Sequence, residues 1–484
     1  MLVSLFGCGD DERRSSVGGS AEVSDGGVSD DDPLSPVMAA NPWLAANGFG
    51  TQHGDSAASD SSPYAGPGSE TVAVQRVDVL AACPSLLMTK GELLLAVCTQ
   101  IFNRAPTVYL FAPGGSAPLD TLELSAGSLF GGVYPYLDHD DRLVIIDGTN
   151  QMLHVEVKSK ADGPRLEIVD SLDLSASIPS DCAGPGCNGV VGLIPDYEGR
   201  IWFATDGALT GFVDRERNEI KTLALSPGER VANSIASGPA GVAVVSDQAL
   251  YLLRVDHGGA PVIVFRASYD RGNARKPGQL SQGSGSTPTF IASASGSAYV
   301  VILDNAQPEM NLLIYEAREG GALACSLALP APTGDGSESS PIGVGRSVIV
   351  SSSYGYPYAT SLPGTGPTVP ESAPLAGGLT RVDFDDRSGE CSLVWSNTVR
   401  SSAVPKLSLA DRSIYTFERT PASAEGVAGP LDSYAYTSID ADTGAIVFRQ
   451  ELPDVPDTMQ LAGTIAADGS YYQGTMLGFL RITR

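Results

Sequence analysis

From about residue 70 to the C-terminus, short apolar runs alternate with polar positions, and each run is bounded by Gly, Pro, Asp or Asn. Alternation with a period of two, interrupted by turn-formers, predicts half-buried strands rather than helices. The pattern also repeats. A strand with Pro or a small residue near its start, a turn carrying Asp or Gly, and a β-branched or aromatic strand open eight units. They read CPSLLMTKGELLLAVC from Cys83, YPYLDHDDRLVIID from Tyr134, VGLIPDYEGRIWFAT from Val191 and NSIASGPAGVAVVS from Asn233. The series continues with TPTFIASASGSAYVVIL from Thr287, SPIGVGRSVIVSS from Ser340, VPKLSLADRSIYTFE from Val404 and LAGTIAADGSYYQGT from Leu461. A spacing of roughly fifty residues marks propellers and arrays. Each unit has room for about four short strands, and one such sheet cannot bury both faces alone. Radial packing solves this. The last unit has room for only three strands before Arg484, while an unpartnered strand, TVAVQRVDVL from Thr71, precedes the first unit. Pairing the two closes the ring and leaves no free edge. The expectation is an all-β, eight-bladed β-propeller over residues 71–484, closed by its N-terminal strand, with seven blades as the alternative count.

The segment before residue 70 has a different character. Residues 1–8 read MLVSLFGC, and Leu5-Phe6-Gly7-Cys8 resembles the lipobox of bacterial lipoproteins, in which the cysteine is acylated and becomes the mature N-terminus. The basic n-region and full apolar core of a signal peptide are missing, so residues 1–8 are read as a truncated one whose true start lies upstream. Residues 9–70 are rich in Gly, Ser and Asp and show no periodic apolar pattern, which predicts a disordered tether between anchor and domain. The island Pro42-Trp43-Leu44 is its main apolar feature and is not expected to dock.

Cysteine usage agrees with export. Of 7 cysteines, removing Cys8 leaves an even set, as expected of disulfides in an oxidising compartment. Position suggests Cys83 with Cys98, Cys182 with Cys187, and Cys325 with Cys391. No Cys-x-x-Cys is present and His53, His139, His154 and His257 are scattered, so neither structural zinc nor c-type haem is expected. Asp138-His139-Asp140-Asp141 is read as an exposed acidic turn rather than a calcium site, and no metal site is assigned.

Charge narrows the function further. With 30 basic and 56 acidic side chains the net charge is −26, which disfavours nucleic acid and anionic lipid as broad partners. No apolar run reaches the roughly 18 residues of a membrane helix, so the expected membrane attachment is the lipid anchor only. The expected location is a bacterial cell envelope, periplasmic or surface-exposed.

YTSIDADTGAIVF, from Tyr436 to Phe448, and the weaker VDFDDRSG from Val382 and VDRERN from Val213 resemble the end of a repeat of the quinoprotein-like (PQQ-like) propellers. The resemblance covers about residues 72–484 at the level of architecture and implies a propeller, with PQQ and calcium as conceivable cofactors. Members that are quinone dehydrogenases carry regular tryptophans and, in some, an adjacent cysteine pair. This chain has 3 Trp and no adjacent cysteines, so the fold is expected without the cofactor being assigned.

In a propeller the loops between strands 2 and 3 and those between blades emerge on one face. Long insertions at 173–190, 270–286, 303–311, 353–378 and 418–433 all fall there, the distribution expected of a binding face. Arg275 and Lys276, in a Gly/Ser-rich loop, are candidates for an anionic group. Asp304, Asn305, Tyr354, Tyr356, Arg400 and Glu418 are placed nearby by blade adjacency, as a polar complement for a ligand. The leading expectation is a lipid-anchored, non-catalytic module that binds an envelope protein or a small molecule through this face. The alternative is a PQQ- or calcium-dependent oxidoreductase or hydrolase using the central funnel. In it Asp304, Asn305 and Glu418 serve as metal ligands or general base, and Arg275 or Arg400 meets the substrate anion. No nucleophile elbow or phosphate-binding loop is found.

Overall fold

The computed structural model describes residues 32–35, 38–45, 49–128, 131–179, 188–293, 296, 298–358 and 366–484. Its strands form eight antiparallel four-stranded sheets arranged as the blades of a β-propeller, one of them with an added short strand. Among the described residues the only helix is the 3-10 turn Thr333–Asp335, and no helix is long and apolar enough to cross a membrane. The first strands of blades 1 to 4 are Ala81–Met88, Tyr136–Leu137, Val190–Pro195 and Ala236–Gly238. Those of blades 5 to 8 are Thr289–Ala292, Ile342–Val344, Lys406–Ser408 and Gly463–Ile465. Each overlaps one of the eight starts read from the sequence, beginning no more than two residues before it. Blade 8 has three strands of its own, and Ala73–Asp78 supplies the fourth by antiparallel pairing with Gly478–Thr483. The ring is therefore closed by the N-terminal strand, with eight blades and not seven.

Inner and middle strands are apolar on both faces because each sheet is covered by its neighbours; the outermost strands alternate. Leu94–Gln100 is buried over its first five residues, whereas Ile446–Leu452 is mostly exposed. Aromatic rings bridge adjacent blades, Phe111 against Phe479 at 5.1 Å between blades 1 and 8 and Tyr299 against Phe384 at 4.9 Å between blades 5 and 6. The recurrent aspartates close the hairpins. Asp196 Oδ1 accepts the N–H groups of Glu198 and Arg200, and Asp440 Oδ1 accepts those of Asp442 and Thr443. In that second hairpin Gly444 has φ +73°, and a Cβ there would stand 2.5 Å from Trp395, so both backbone and packing require glycine.

Two expected disulfides are present. Cys83–Cys98 joins the first two strands of blade 1, and Cys325–Cys391 ties the outer strands of blades 5 and 6 together. Cys8, Cys182 and Cys187 lie outside the described residues, as do the expected lipobox and the tether up to residue 31.

The remainder of the expected tether corrects the sequence reading. Its described residues pack against the propeller, and residues 49–62 enter the central channel and bond to the inner strands. Ser237, Phe290, Gly343 and Leu407, on blades 4 to 7, donate their backbone N–H groups to the carbonyls of Ser56, Ala57, Ser59 and Asp60 at 2.7–3.1 Å. Leu137 of blade 2 donates to Gly50, Ser85 Oγ of blade 1 donates to Gln52, and Ser62 Oγ donates to Ile465 of blade 8. Asn41, just upstream, donates to Pro195 of blade 3. All eight blades are touched. Ser61–Ser62 adds to blade 7 as the short parallel strand. A Gly/Ser/Asp-rich segment buries little apolar side chain, but small residues let its backbone thread the narrow channel and pair. Ala58 and Asp60 hold left-handed φ values of 55° and 50°, a strain that persists where surrounding bonds over-determine the conformation.

Candidate functional site

The plug turns the channel into a blind funnel. Trp43 and Leu44 lie against the hairpins between strands 1 and 2, Trp43 edge-on to His139 and Leu44 bridged to Asp138, so the island Pro42-Trp43-Leu44 does dock. This places the plugged end opposite the loop-rich face. Above the plug remains a cavity of about 140 Å³. Gln52 and His53 form its floor. Pro84, Tyr134, Asn233, Ser340, Val404 and Leu461, at or near the beginnings of blades, contribute to its wall, and Leu280, Tyr358 and Met459 reach in from the long loops.

Just beneath the cavity a buried ionic cluster locks the plug. Asp60 accepts hydrogen bonds from Lys406 Nζ at 2.9 Å and Ser340 Oγ at 2.5 Å, and His53 Nδ1 lies 3.0 Å from its Oδ2. Burial alone would raise the Asp60 carboxyl, but the His53 ring, the Lys406 ammonium and the Ser340 hydroxyl hold it below its ordinary value. Ser, His and Asp meet here without forming a hydrolytic triad. Ser340 and Asp60 both approach Nδ1, at 3.1 and 3.0 Å, whereas a triad places nucleophile and acid on opposite ring nitrogens.

On the cavity wall stands Glu338, 8% exposed. Its Oε1 accepts from Asn233 Nδ2 at 3.2 Å, and Asn233 Oδ1 accepts from the Tyr134 hydroxyl at 3.0 Å. Its Oε2 has no hydrogen-bond partner. Burial pushes the carboxyl up to about 8, against the opposing pull of the Leu280 amide, Asn233 and Arg275. Burial likewise raises the Tyr134 and Tyr358 hydroxyls, with the Glu338 charge adding to it.

The residues singled out from sequence fall into three groups. Lys276, Asp304 and Asn305 are buried and knit two loops together: Lys276 Nζ donates to the Ala306 carbonyl at 2.8 Å, Asp304 accepts from Asn311, and Asn305 donates to the Arg271 and Ala274 carbonyls. Arg275 and Tyr356 line a separate surface pocket of about 230 Å³ with Tyr358 and Glu371. There Arg275 is held by the carbonyls of Gln279 and Gly366. Tyr356 donates to Asp457 and stacks on Arg419, whose guanidinium lies between Tyr356 and Tyr434 at 5.4 and 5.5 Å. Tyr354 is half-buried at the edge of its loop, Arg400 donates to the Leu375 carbonyl, and Glu418 pairs with Arg449 on the sheet. None of the eight lines the funnel. The wall residues Glu338, Tyr134 and Asn233 escaped notice because each sits in the short approach to an inner strand, Tyr134 and Asn233 at the opening of a repeat start and Glu338 two residues before one.

Neither suggested cofactor fits this donor set. PQQ is a polycarboxylate, and neither Lys nor Arg lines the cavity; calcium takes six to eight oxygens, and one carboxylate lines it. At the Asp138-His139-Asp140 turn, Arg142 occupies Asp138 and Asp140 at 2.8 and 3.0 Å, consistent with a hairpin closed by its own cation.

No protein-family model and no curated protein matches the chain. Among solved structures it is similar to Sqt1 of Saccharomyces cerevisiae, at 9% identity over 87% of this chain and 99% of that one, with a TM-score of 0.43. It is also similar to the Nup133 β-propeller domain of Vanderwaltozyma polyspora, at 10% identity over 71% and 89%, with a TM-score of 0.40. The Cps50 (Swd1) β-propeller domain of Myceliophteria thermophila gives 12% identity over 58% and 95%, with a TM-score of 0.29. At those scores the likenesses carry no argument, and the propeller stands on the eight sheets themselves.

Proposed function

We propose that the chain is an extracytoplasmic, lipid-anchored binding propeller that takes a small molecule into its central funnel from the loop-rich face. The observation that carries this reading is the funnel itself: plugged at one end by residues 49–62, hollow at the other, and lined in part by the buried side chain of Glu338. A concave site with a few convergent polar groups and a perturbed titratable residue is the usual form of a ligand site. The two disulfides support an oxidising compartment, and Cys8 supports the anchor.

The test is to purify the full chain from its own membrane, denature it, and identify released small molecules by mass spectrometry. Ala462→Trp, which fills the funnel from the wall, serves as control. A compound released by the wild type and missing from the folded variant is expected; identical release from both, or none from either, contradicts the reading.

A further inference from the structure

The plugged end of the molecule has a cavity of its own, of about 260 Å³, that shares no residue with the funnel. It opens between the hairpins that join strands 1 and 2 of blades 1 and 8. Met88 and Ala466 line it from those hairpins, Ala45, Phe49 and Tyr64 from the docked N-terminal segment, and Tyr472 from blade 8. Drug-sized ligands occupy roughly 300–1,000 Å³, so this space suits one or two fused rings. Phe49 and Tyr64 stack nearly parallel, with centroids 5.1 Å apart and planes at 12°, and such a pair offers a flat ring a surface to pack on. The Met88 thioether favours aromatic carbon as well. Two hydroxyls mark the polar end. Tyr472 is 2% exposed and Tyr64 half-buried, yet neither hydroxyl makes a hydrogen bond among the described residues, and neither is a sealed atom. Enclosed tyrosines ordinarily bond their hydroxyls: in the same two blades Tyr415 donates to Asp411, Tyr436 to the Gly68 carbonyl and Tyr471 to Gln473.

We propose that this cavity binds a small, uncharged aromatic molecule bearing a hydroxyl or carbonyl oxygen. Its ring lies against Phe49 and Tyr64, and its oxygen meets the hydroxyls of Tyr64 and Tyr472. The charged groups at the mouth argue against an ionic ligand. Both Asp141 oxygens accept the Lys90 backbone N–H at 3.0 and 3.1 Å, and Lys90 Nζ donates to the His139 carbonyl at 2.7 Å. Asp468 accepts from Ser470 and Arg481, while Glu92 stands in solvent. Three carboxylates to one ammonium repel an anion. A cation finds Asp141 and Asp468 already engaged. What the cavity leaves open is aromatic surface and phenol hydroxyls, which a neutral ring with one oxygen satisfies together. The site is independent of the funnel and stands whether or not the funnel holds a ligand.

The experiment is calorimetric titration of the full chain at pH 7 with naphthol, naphthoate and decahydronaphthol, which separate charge and aromaticity from size. Naphthol is expected to bind most tightly. Ala467→Phe, at an exposed hairpin position that borders the cavity, is expected to abolish its binding in a chain that keeps the wild-type circular dichroism and melting curve. Joint replacement Tyr64→Phe and Tyr472→Phe keeps both rings and is expected to weaken naphthol by about 2- to 10-fold, as for loss of a hydrogen bond. Ala462→Trp, which fills the funnel, is expected to leave naphthol binding unchanged. Tighter binding of naphthoate or decahydronaphthol overturns the ligand class. Naphthol binding that survives Ala467→Phe, or that is lost in Ala462→Trp, overturns the site, as does wild-type affinity in the double phenylalanine variant. No heat from any probe at millimolar concentration also overturns it.

Discussion

Two buried carboxyls have opposite surroundings, Asp60 beneath the cavity floor and Glu338 on its wall. Asp60 is charged and saturated by Lys406, Ser340 and His53, both it and Lys406 being almost fully enclosed. Removing one partner of such a pair strands the other charge, so Asp60→Ala is expected to lower stability by about 3–5 kcal/mol in chemical denaturation. Glu338 is the reverse case, a carboxyl raised from 4.5 to about 8 by burial. The folded state therefore binds more protons than the unfolded state between those values, and stability falls as pH rises from about 4.5 to 8. Glu338→Gln is expected to remove that slope and to be more stable than wild type by a few kcal/mol above pH 8, at roughly 1.4 kcal/mol per pH unit; identical pH profiles of the two proteins would contradict the assignment. The residues that matter most were the hardest to see in sequence. Arg275 and Lys276 stood out as cations in an acidic chain, yet backbone carbonyls absorb both, whereas Glu338 in Ser337-Glu338-Ser339-Ser340 looks like any polar turn until the ring brings Asn233 and Tyr134 to it.

Elements were legible where side chains carry the pattern and illegible where the backbone does the pairing. All eight inner strands follow from the recurring strand–turn–strand unit, and the closing strand Ala73–Asp78 follows from the shortage of one strand in the last unit. The plug does not, because composition counts apolar side chains, and residues 49–62 hold their place with carbonyls, one buried ion pair and close approach. The disulfides were readable from position, Cys325 and Cys391 at matching places in two repeats and Cys83 and Cys98 within one hairpin. Of the two, Cys325–Cys391 spans 66 residues and joins separate blades, while Cys83–Cys98 spans 15 within one. On the chain-entropy account the longer loop contributes about 4 kcal/mol and the shorter about 3 kcal/mol. Paired Cys→Ser replacement at 325 and 391 is thus expected to lower the melting temperature more than replacement at 83 and 98. The opposite order would show that bonding within blade 1 matters more than stapling two blades.

At the scale of the whole molecule, the N-terminal segment does two jobs that depend on each other. Residues 73–78 close the ring from outside, and residues 49–62 close the channel from inside, so both stretches are woven into the fold. If Cys8 is the anchor, proteolysis of membrane-extracted protein should yield an N-terminal peptide carrying lipid mass on that residue, and Cys8→Ala should free the chain from the membrane; an unmodified Cys8 removes the anchor. The blind funnel is the feature on which both the ligand site and its ionic floor depend. Hydrogen exchange tests it directly, because the backbone N–H groups of Ser237, Phe290, Gly343, Leu407 and Leu409 have carbonyls of the plug as their acceptors. The account predicts that these five amides exchange as slowly as those paired inside the sheets; exchange at the rate of open backbone, with the sheets still protected, would mean that residues 49–62 do not close the channel.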